Sequence, residues 1–196
     1  MKIVLASGSA IRAKILNDVG LAFDIVKPDV DEDAIKESGQ EKGLDLEAIA
    51  AALADAKALA AQADDSAIVI GSDQIMEHEG RAYDKPKSLE EAAARLKRLQ
   101  GSSHTLINAV SIARAGCIVQ RFIDRPALHM RIMGDEEIDA YIDAAGPAIL
   151  SSVGAYQVER LGARLFDRID GDYFAVLGLS LYPLLRYLRE AGALDF

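Results

Sequence analysis

The chain has 196 residues, 51% of them hydrophobic and 27% charged, with a formal net charge of −9. This is the profile of a folded globular protein with a substantial core, which excludes disorder, and the acidic balance argues against binding duplex DNA or long RNA. The single cysteine, Cys117, excludes an intramolecular disulfide and a cysteine metal cluster, in keeping with a cytoplasmic protein.

No Pro/Gly/Ser-rich linker divides the chain, so residues 1–196 are expected to form one domain. Ile3, Val4 and Leu5 read as a short buried strand, followed by the Ser7-Gly8-Ser9 turn and a helix from Ala10 to Val19 that Gly20 ends. A strand that opens through hydroxylated residues into a helix aims backbone N–H groups and the positive helix end at one point, which suits a phosphate. Helical side chains lean toward the N-terminus, so Arg12 can reach back over the serines; the alternative is a solvated surface arginine.

Phe23 to Val26 reads as a second strand closed by Pro28. The acidic loop that follows, Asp29 to Asp33, is either a solvated patch or half of a site for a hard cation that prefers oxygen ligands. Leu44 to Ala63 reads as a helix with Leu46, Ile49, Leu53 and Ala60 on one face. Lys57 shares that face, where it must snorkel outward or meet an anion. The helix also carries Asp55, and these two charges argue against a membrane span.

Ala67 to Gly71 reads as a central strand that puts Asp73 at its C-terminal end, where open α/β sheets place ligands. An extended segment to Glu79, a turn at Gly80-Arg81 and the Asp84-Lys85-Pro86 triplet follow, the proline keeping Lys85 out of the next helix. Ser88 and Glu91 form a capping box for a helix from Glu90 to Leu99. Thr105 to Ala113 and Cys117 to Ile123, continuing to Ile132, read as a hairpin of exposed or half-buried strands turning at Ala115-Gly116. A helix from Asp135 to Ala144, an extended stretch from Gly154 to Phe166, a strand from Tyr173 to Leu177 and a helix from Leu181 to Glu190 complete the chain.

His78, His104 and His129 lack metal-binding spacing, and the signatures of serine hydrolases, P-loops and dinucleotide-binding folds are absent. Ser7 and Ser9 have no evident histidine partner and are read as phosphate ligands before nucleophiles. The remaining cations (Arg12, Lys57, Lys85) and carboxylates (Glu32, Asp73) lie at element ends or on inward-facing stripes. Phosphoryl or nucleotidyl transfer needs such groups: cations to spread charge, a metal to bridge phosphate oxygens, and a carboxylate to hold metal or orient water.

Several separated blocks, LASGSAIRAKIL, PDVDE, ALADAKA, GSDQ, DKP, LQGSSH, GAYQVE and IDGDYFAVLGL, together resemble the Maf family of nucleoside triphosphate pyrophosphatases. The resemblance implies an α/β, Maf/ITPase-like two-lobed fold, with a central mixed sheet flanked by helices and an active-site cleft. It further implies a divalent cation cofactor (Mg, Mn or Co), a nucleoside triphosphate substrate split to monophosphate and pyrophosphate, and a chain that can pair with a second copy. By the same resemblance Ser7, Ser9 and Arg12 would hold phosphates, Lys57 and Lys85 would neutralise the triphosphate, and Glu32 would help hold metal. Asp73 would be the catalytic acid-base or a metal-linked carboxylate.

Subtype is carried by three positions. Members acting on dTTP or UTP usually have an arginine at the place of Ile11, a threonine at Gln74 and a glutamine at Glu159, whereas Gln74 with Glu159 resembles the branch acting on 7-methyl-GTP. A guanine edge offers adjacent N–H donors that one carboxylate can accept, and a methylated, cationic guanine favours Glu159 further. The alternatives are a dTTP/UTP enzyme of the same fold and a non-catalytic nucleotide-binding regulator of septum formation. Ala10, Asp84, Ala175 and Ser180 depart from the family pattern, Ser180 standing where a proline is usual.

Overall fold

The computed structural model describes residues 1–196. It is α/β, with eight strands, β1 (Ile3–Ala6), β2 (Asp24–Ile25), β3 (Ile68–His78), β4 (Arg81–Tyr83), β5 (Ser103–Arg114), β6 (Cys117–Asp124), β7 (Ala127–Met130) and β8 (Phe166–Asp170), ordered β2-β1-β3-β5-β7-β8 with β4 pairing with β3 and β6 with β5, and seven α-helices flanking them. The chain divides into two compact units built from interleaved segments. The first comprises residues 1–74, 107–124 and 172–196, and the second residues 75–106 and 125–171. No helix is long and apolar enough to cross a membrane.

In the first unit β1 (Ile3–Ala6) runs parallel to both β2 (Asp24–Ile25) and β3 (Ile68–His78), pairing with β3 from Ile3↔Ile68 to Ala6↔Gly71. The two-residue period of a strand sends Ile3, Leu5, Ile68 and Ile70 to one face, where α1 (Ala10–Asp18) and α7 (Leu181–Glu190) cover them with Ile15, Leu16, Leu184 and Leu188. The opposite face carries Val4, Ala6, Val69 and Ala113, smaller side chains beneath Ala58 and Ala61 at the end of α3 (Leu46–Ala60). Gly71 makes this closeness possible: a Cβ there would run into the Ala54 carbonyl oxygen and lie 2.6 Å from the Ala58 nitrogen. Asp55 ties α3 to the sheet by accepting from Ser111 at 2.6 Å and from both ends of the Arg121 guanidinium.

The second unit contains the later part of β3 with β4 (Arg81–Tyr83), and the start of β5 (Ser103–Arg114) with β7 (Ala127–Met130) and β8 (Phe166–Asp170). Helices α4 (Leu89–Leu99) and α5 (Asp135–Ala145) pack on one another. Ser88 accepts from the Glu91 N–H at 3.2 Å, while the Glu91 carboxylate reaches back to the Lys87 N–H at 2.8 Å, one residue beyond the usual capping box.

Several elements differ from the sequence expectation. The acidic run is the start of a helix, α2 (Glu32–Glu41), with Asp31 capping the Ala34 N–H at 3.0 Å and Glu32 and Asp33 in the first turn, where a helix N-terminus favours negative charge. Strand β3 continues through Asp73 because Ile75 and Met76 are again buried, so Asp73 is not at a strand end; it lies just past the last β1–β3 pair, Ala6↔Gly71. Strand β5 is buried along most of its length instead of exposed or half-buried. Ala115 and Gly116, both at positive φ, turn it into β6 (Cys117–Asp124), but the chain breaks at Arg125-Pro126 and β7 is a separate strand between β5 and β8.

Of the stretch read as extended from Gly154 to Phe166, only Phe166 lies in a strand, as the first residue of β8. Arg160 N–H bonds to the Gln157 carbonyl at 3.0 Å, Gly162 packs on the Gln157 backbone where no Cβ would fit, and Leu161–Leu165 forms a 3-10 turn. Tyr173–Val176 is a short helix, α6, instead of a strand. Asp172 caps the Ala175 N–H at 2.9 Å, and Gly178 at φ +97° closes the other end, with Gly178 N–H on Ala175 and Leu179 N–H on Phe174. Caps on both sides decide against a strand where the apolar run alone is ambiguous.

Candidate functional site

Eight of the sequence-selected side chains belong to the first unit: Ser7 and Ser9 in the turn after β1, Ile11 and Arg12 on α1, Glu32 at the start of α2, Lys57 on α3, and Asp73 and Gln74 on β3. Ser9 is the N-cap of α1, its hydroxyl accepting from the Arg12 N–H at 3.5 Å, and the buried Ser7 hydroxyl accepts from the Ser9 N–H at 3.2 Å. The half-buried Arg12 leans back over this turn. Its Nε donates to the Gly178 carbonyl at 2.6 Å, and its Nη1 donates to the Ser72 carbonyl at 2.8 Å and to Ser7 Oγ at 3.3 Å. The Arg12 hydrogen bonds thus come from Nε and Nη1, and Nη2 makes none within the protein. Burial lowers the Arg12 pKa, and the charges of Asp73 and Glu32 oppose that loss.

One residue beyond Ser72, Asp73 Oδ1 lies 2.6 Å from Lys57 Nζ, and Glu32 Oε1 lies 2.8 Å from the same nitrogen. The Lys57 and Asp73 side chains are 11% and 10% exposed, so this is an interior ion pair with Glu32 closing it from the wetter side. Lys57 therefore meets carboxylates of its own chain, the inward outcome of its position on α3. Gln74 spends its amide N–H donors on the Ala175 and Val176 carbonyls at 2.9 and 3.2 Å, which leaves its carbonyl oxygen as the group on offer. Ile11, the eighth residue, packs against the apolar cluster under β1 and β3.

In the second unit, Lys85 is exposed beside the buried Pro86, and Glu159 is exposed in the turn after Gln157. The carbonyl of Asp84 is gripped by Arg95 Nη1, which also donates to the Val153 carbonyl at 2.5 Å, while Nη2 meets Glu91 at 2.9 Å. Tyr83 stacks under this guanidinium at 5.3 Å. The Lys85 backbone is thus held by an arginine on the buried stripe of α4, between Ala92 and Leu96.

Sequence reasoning missed Arg95, and it missed Gly178, whose carbonyl and lack of a side chain both serve Arg12. A Cβ on Gly178 would sit 3.3 Å from Arg12 Nη2. It also missed Lys27, whose methylene stem a Cβ on Gly8 would meet at 3.7 Å. An arginine on an apolar stripe and a glycine two residues after a short capped helix were available signals; Lys27 left none.

The carboxylates suit a hard divalent cation. Asp73 and Glu32 bind one nitrogen and are therefore near neighbours, and one or two carboxylates completed by substrate phosphates is the common shell of Mg²⁺. No group of three or more His, Cys, Asp or Glu residues assembles to hold a metal without a ligand.

The fold and this turn define an α/β protein with a serine-capped helix start beside a lysine-linked carboxylate pair. A family model for Maf-like proteins matches residues 2–191. The chain is 44% identical over 192 residues to a nucleoside triphosphate pyrophosphatase of Caulobacter vibrioides, covering 98% of this chain and 96% of that one. It is 41% identical to a 7-methyl-GTP pyrophosphatase of Rhizobium meliloti, covering 98% of each, and 38% identical to another of Rhizobium etli, covering 99% and 98%. The chain belongs to the Maf family.

Proposed function

We propose that this chain is a cytoplasmic nucleoside triphosphate pyrophosphatase that prefers 7-methyl-GTP and works with a divalent cation. Pyrophosphatase is the activity named for the relatives above, and both 7-methyl-GTP enzymes match nearly the whole chain. The observation that carries the reading is the linkage of two chemistries on one strand. Arg12, with Nη2 unclaimed, is bonded to the Ser72 carbonyl, and the next residue, Asp73, holds Lys57.

In this reading the α1 N-terminus, Ser7, Ser9 and Arg12 take phosphate oxygens, as a helix start with an arginine fork does. Water adds to the α-phosphorus, the bond to the bridging oxygen breaks, and pyrophosphate leaves. Asp73 accepts the water's proton or orients the water, and Lys57 and Lys85 offset the phosphate charge. Glu32 and Asp73 would hold the cation, which when bound supplies a Lewis acid on the phosphate oxygens. Glu159 accepts from the guanine edge, and the free Gln74 carbonyl oxygen accepts from a further substrate donor.

Pyrophosphate release from 7-methyl-GTP, GTP, dTTP and UTP, each with Mg²⁺, Mn²⁺ or Co²⁺, tests this. The highest kcat/KM is expected with 7-methyl-GTP, and Glu159→Gln is expected to reduce that preference by about tenfold, the worth of one good hydrogen bond to a charged group. Faster release from dTTP or UTP would replace the base assignment. Nucleotide affinity without release under any of the metals would make the chain a binding protein.

A further inference from the structure

One buried network of the first unit is unused by the reading above. Ser180 occupies the N-cap position of α7, yet its hydroxyl makes no capping bond and it is fully buried, as is Asn108 on β5. An N-cap serine ordinarily spends its oxygen on the helix N–H groups; this one is turned toward Asn108. The Asn108 amide has donors on one side and an acceptor on the other. Its Oδ1 accepts from Ser180 Oγ at 2.8 Å and from the Ser180 N–H at 3.0 Å, and its Nδ2 donates to the Gly178 carbonyl at 2.9 Å.

That carbonyl is the one that accepts Arg12 Nε at 2.6 Å, and Ser72 Oγ donates to it at 3.0 Å. Donors from α1, β3 and β5 therefore converge on one oxygen, and Asn108 is itself clamped by both donors of Ser180. We propose that Asn108 and Ser180 are positioning residues that fix the Gly178 carbonyl and, through it, aim the free Nη2 edge of Arg12 at a phosphate group. The proposal rests on the phosphate-binding reading of Arg12. It separates from a purely structural role because Ser72 still donates to the Gly178 carbonyl when Asn108 is removed, so the change falls on the orientation of that carbonyl and of Arg12 before it falls on the fold.

The test uses Asn108→Ala, Ser180→Ala, which loses the hydroxyl alone, and Ser180→Pro, which also loses the N–H at a φ of −69° that proline adopts readily. The Arg12 Nε–H resonance of the free protein, assigned with Arg12→Lys, is expected to be protected from exchange in the wild type. It should lose that protection in Asn108→Ala and Ser180→Pro, with Ser180→Ala between. In parallel, the Kd for inorganic pyrophosphate and the KM for triphosphate should rise on the order of tenfold, with kcat nearly constant, as when binding common to ground and transition states is removed.

An unaltered Nε–H signal in both Asn108→Ala and Ser180→Pro overturns the proposal, as does an altered signal with unchanged pyrophosphate affinity. A wild-type protein that binds no pyrophosphate overturns it too. A wild-type protein that binds pyrophosphate but hydrolyses no triphosphate refutes the hydrolase reading alone, and the proposal then stands or falls on the Kd values.

Discussion

Arg12 is held by two backbone carbonyls and a serine hydroxyl, so its planar fork is used on two edges at once. A lysine brings one nitrogen to the same place and cannot meet Gly178, Ser72 and a phosphate together. Arg12→Lys is therefore expected to raise the KM for triphosphate by about tenfold or more in steady-state assays despite keeping the charge. For Asp73, Asn keeps the shape and removes the negative oxygen that faces Lys57. Asp73→Asn is expected to lower pyrophosphate release by about 10²-fold or more, the usual worth of a positioned acid-base group. Turnover near the wild-type rate would take Asp73 out of the chemistry.

At the scale of elements, the distance between α3 and β3 sets the Lys57–Asp73 pair. Gly71 carries no Cβ because Ala54 and Ala58 occupy that space. Gly71→Ala is expected to cost about 1–3 kcal/mol, as overpacking does, read as a lower denaturation midpoint, and to depress activity by parting Lys57 from Asp73. Much of this arrangement was legible in the chain. The alanine-rich run around Lys57, the β-branched run before Asp73 and the Ser9 turn are long or strongly patterned, and local preference agrees with tertiary packing there. Residues 173–176 were not, because a four-residue apolar helix has no period to read and only its caps reveal it. The same holds for α2, whose acidic first turn looks like a solvated loop until the helix dipole is considered. Arg95 and Gly178 act through backbone carbonyls, and no residue type at the receiving end announces such a contact.

Across the whole molecule, acid stability is set in part by a buried histidine. His104 is 2% exposed, bonded to Tyr156 Oη at 2.6 Å and stacked near Phe166. Burial lowers its pKa from 6.5 to about 4, and the charges of His78 and His129 add to the shift. The unfolded chain takes up this proton between those values and the folded chain does not. The contribution to stability is complete above about pH 6.5 and is lost as pH falls toward about 4, with a slope of at most about 1.4 kcal/mol per pH unit for one proton. Urea midpoints measured through that window should decline, and His104→Gln should flatten the decline. An equally steep decline in that variant would assign it to another group.

The interleaving of the units carries a consequence for how the protein comes into being. The first unit draws on residues 1–74, 107–124 and 172–196, so its strands β1 and β3 leave the ribosome long before α7 arrives to cover Leu5 and Ile70. Gly178 belongs to that late segment, so Arg12 waits for its anchor, which lies 166 residues further along the chain. The anchoring of Arg12 is thus a late event, and a nascent chain stalled before Asp172 carries every charged group read from the sequence, but its Arg12 Nε has no Gly178 carbonyl to hold it.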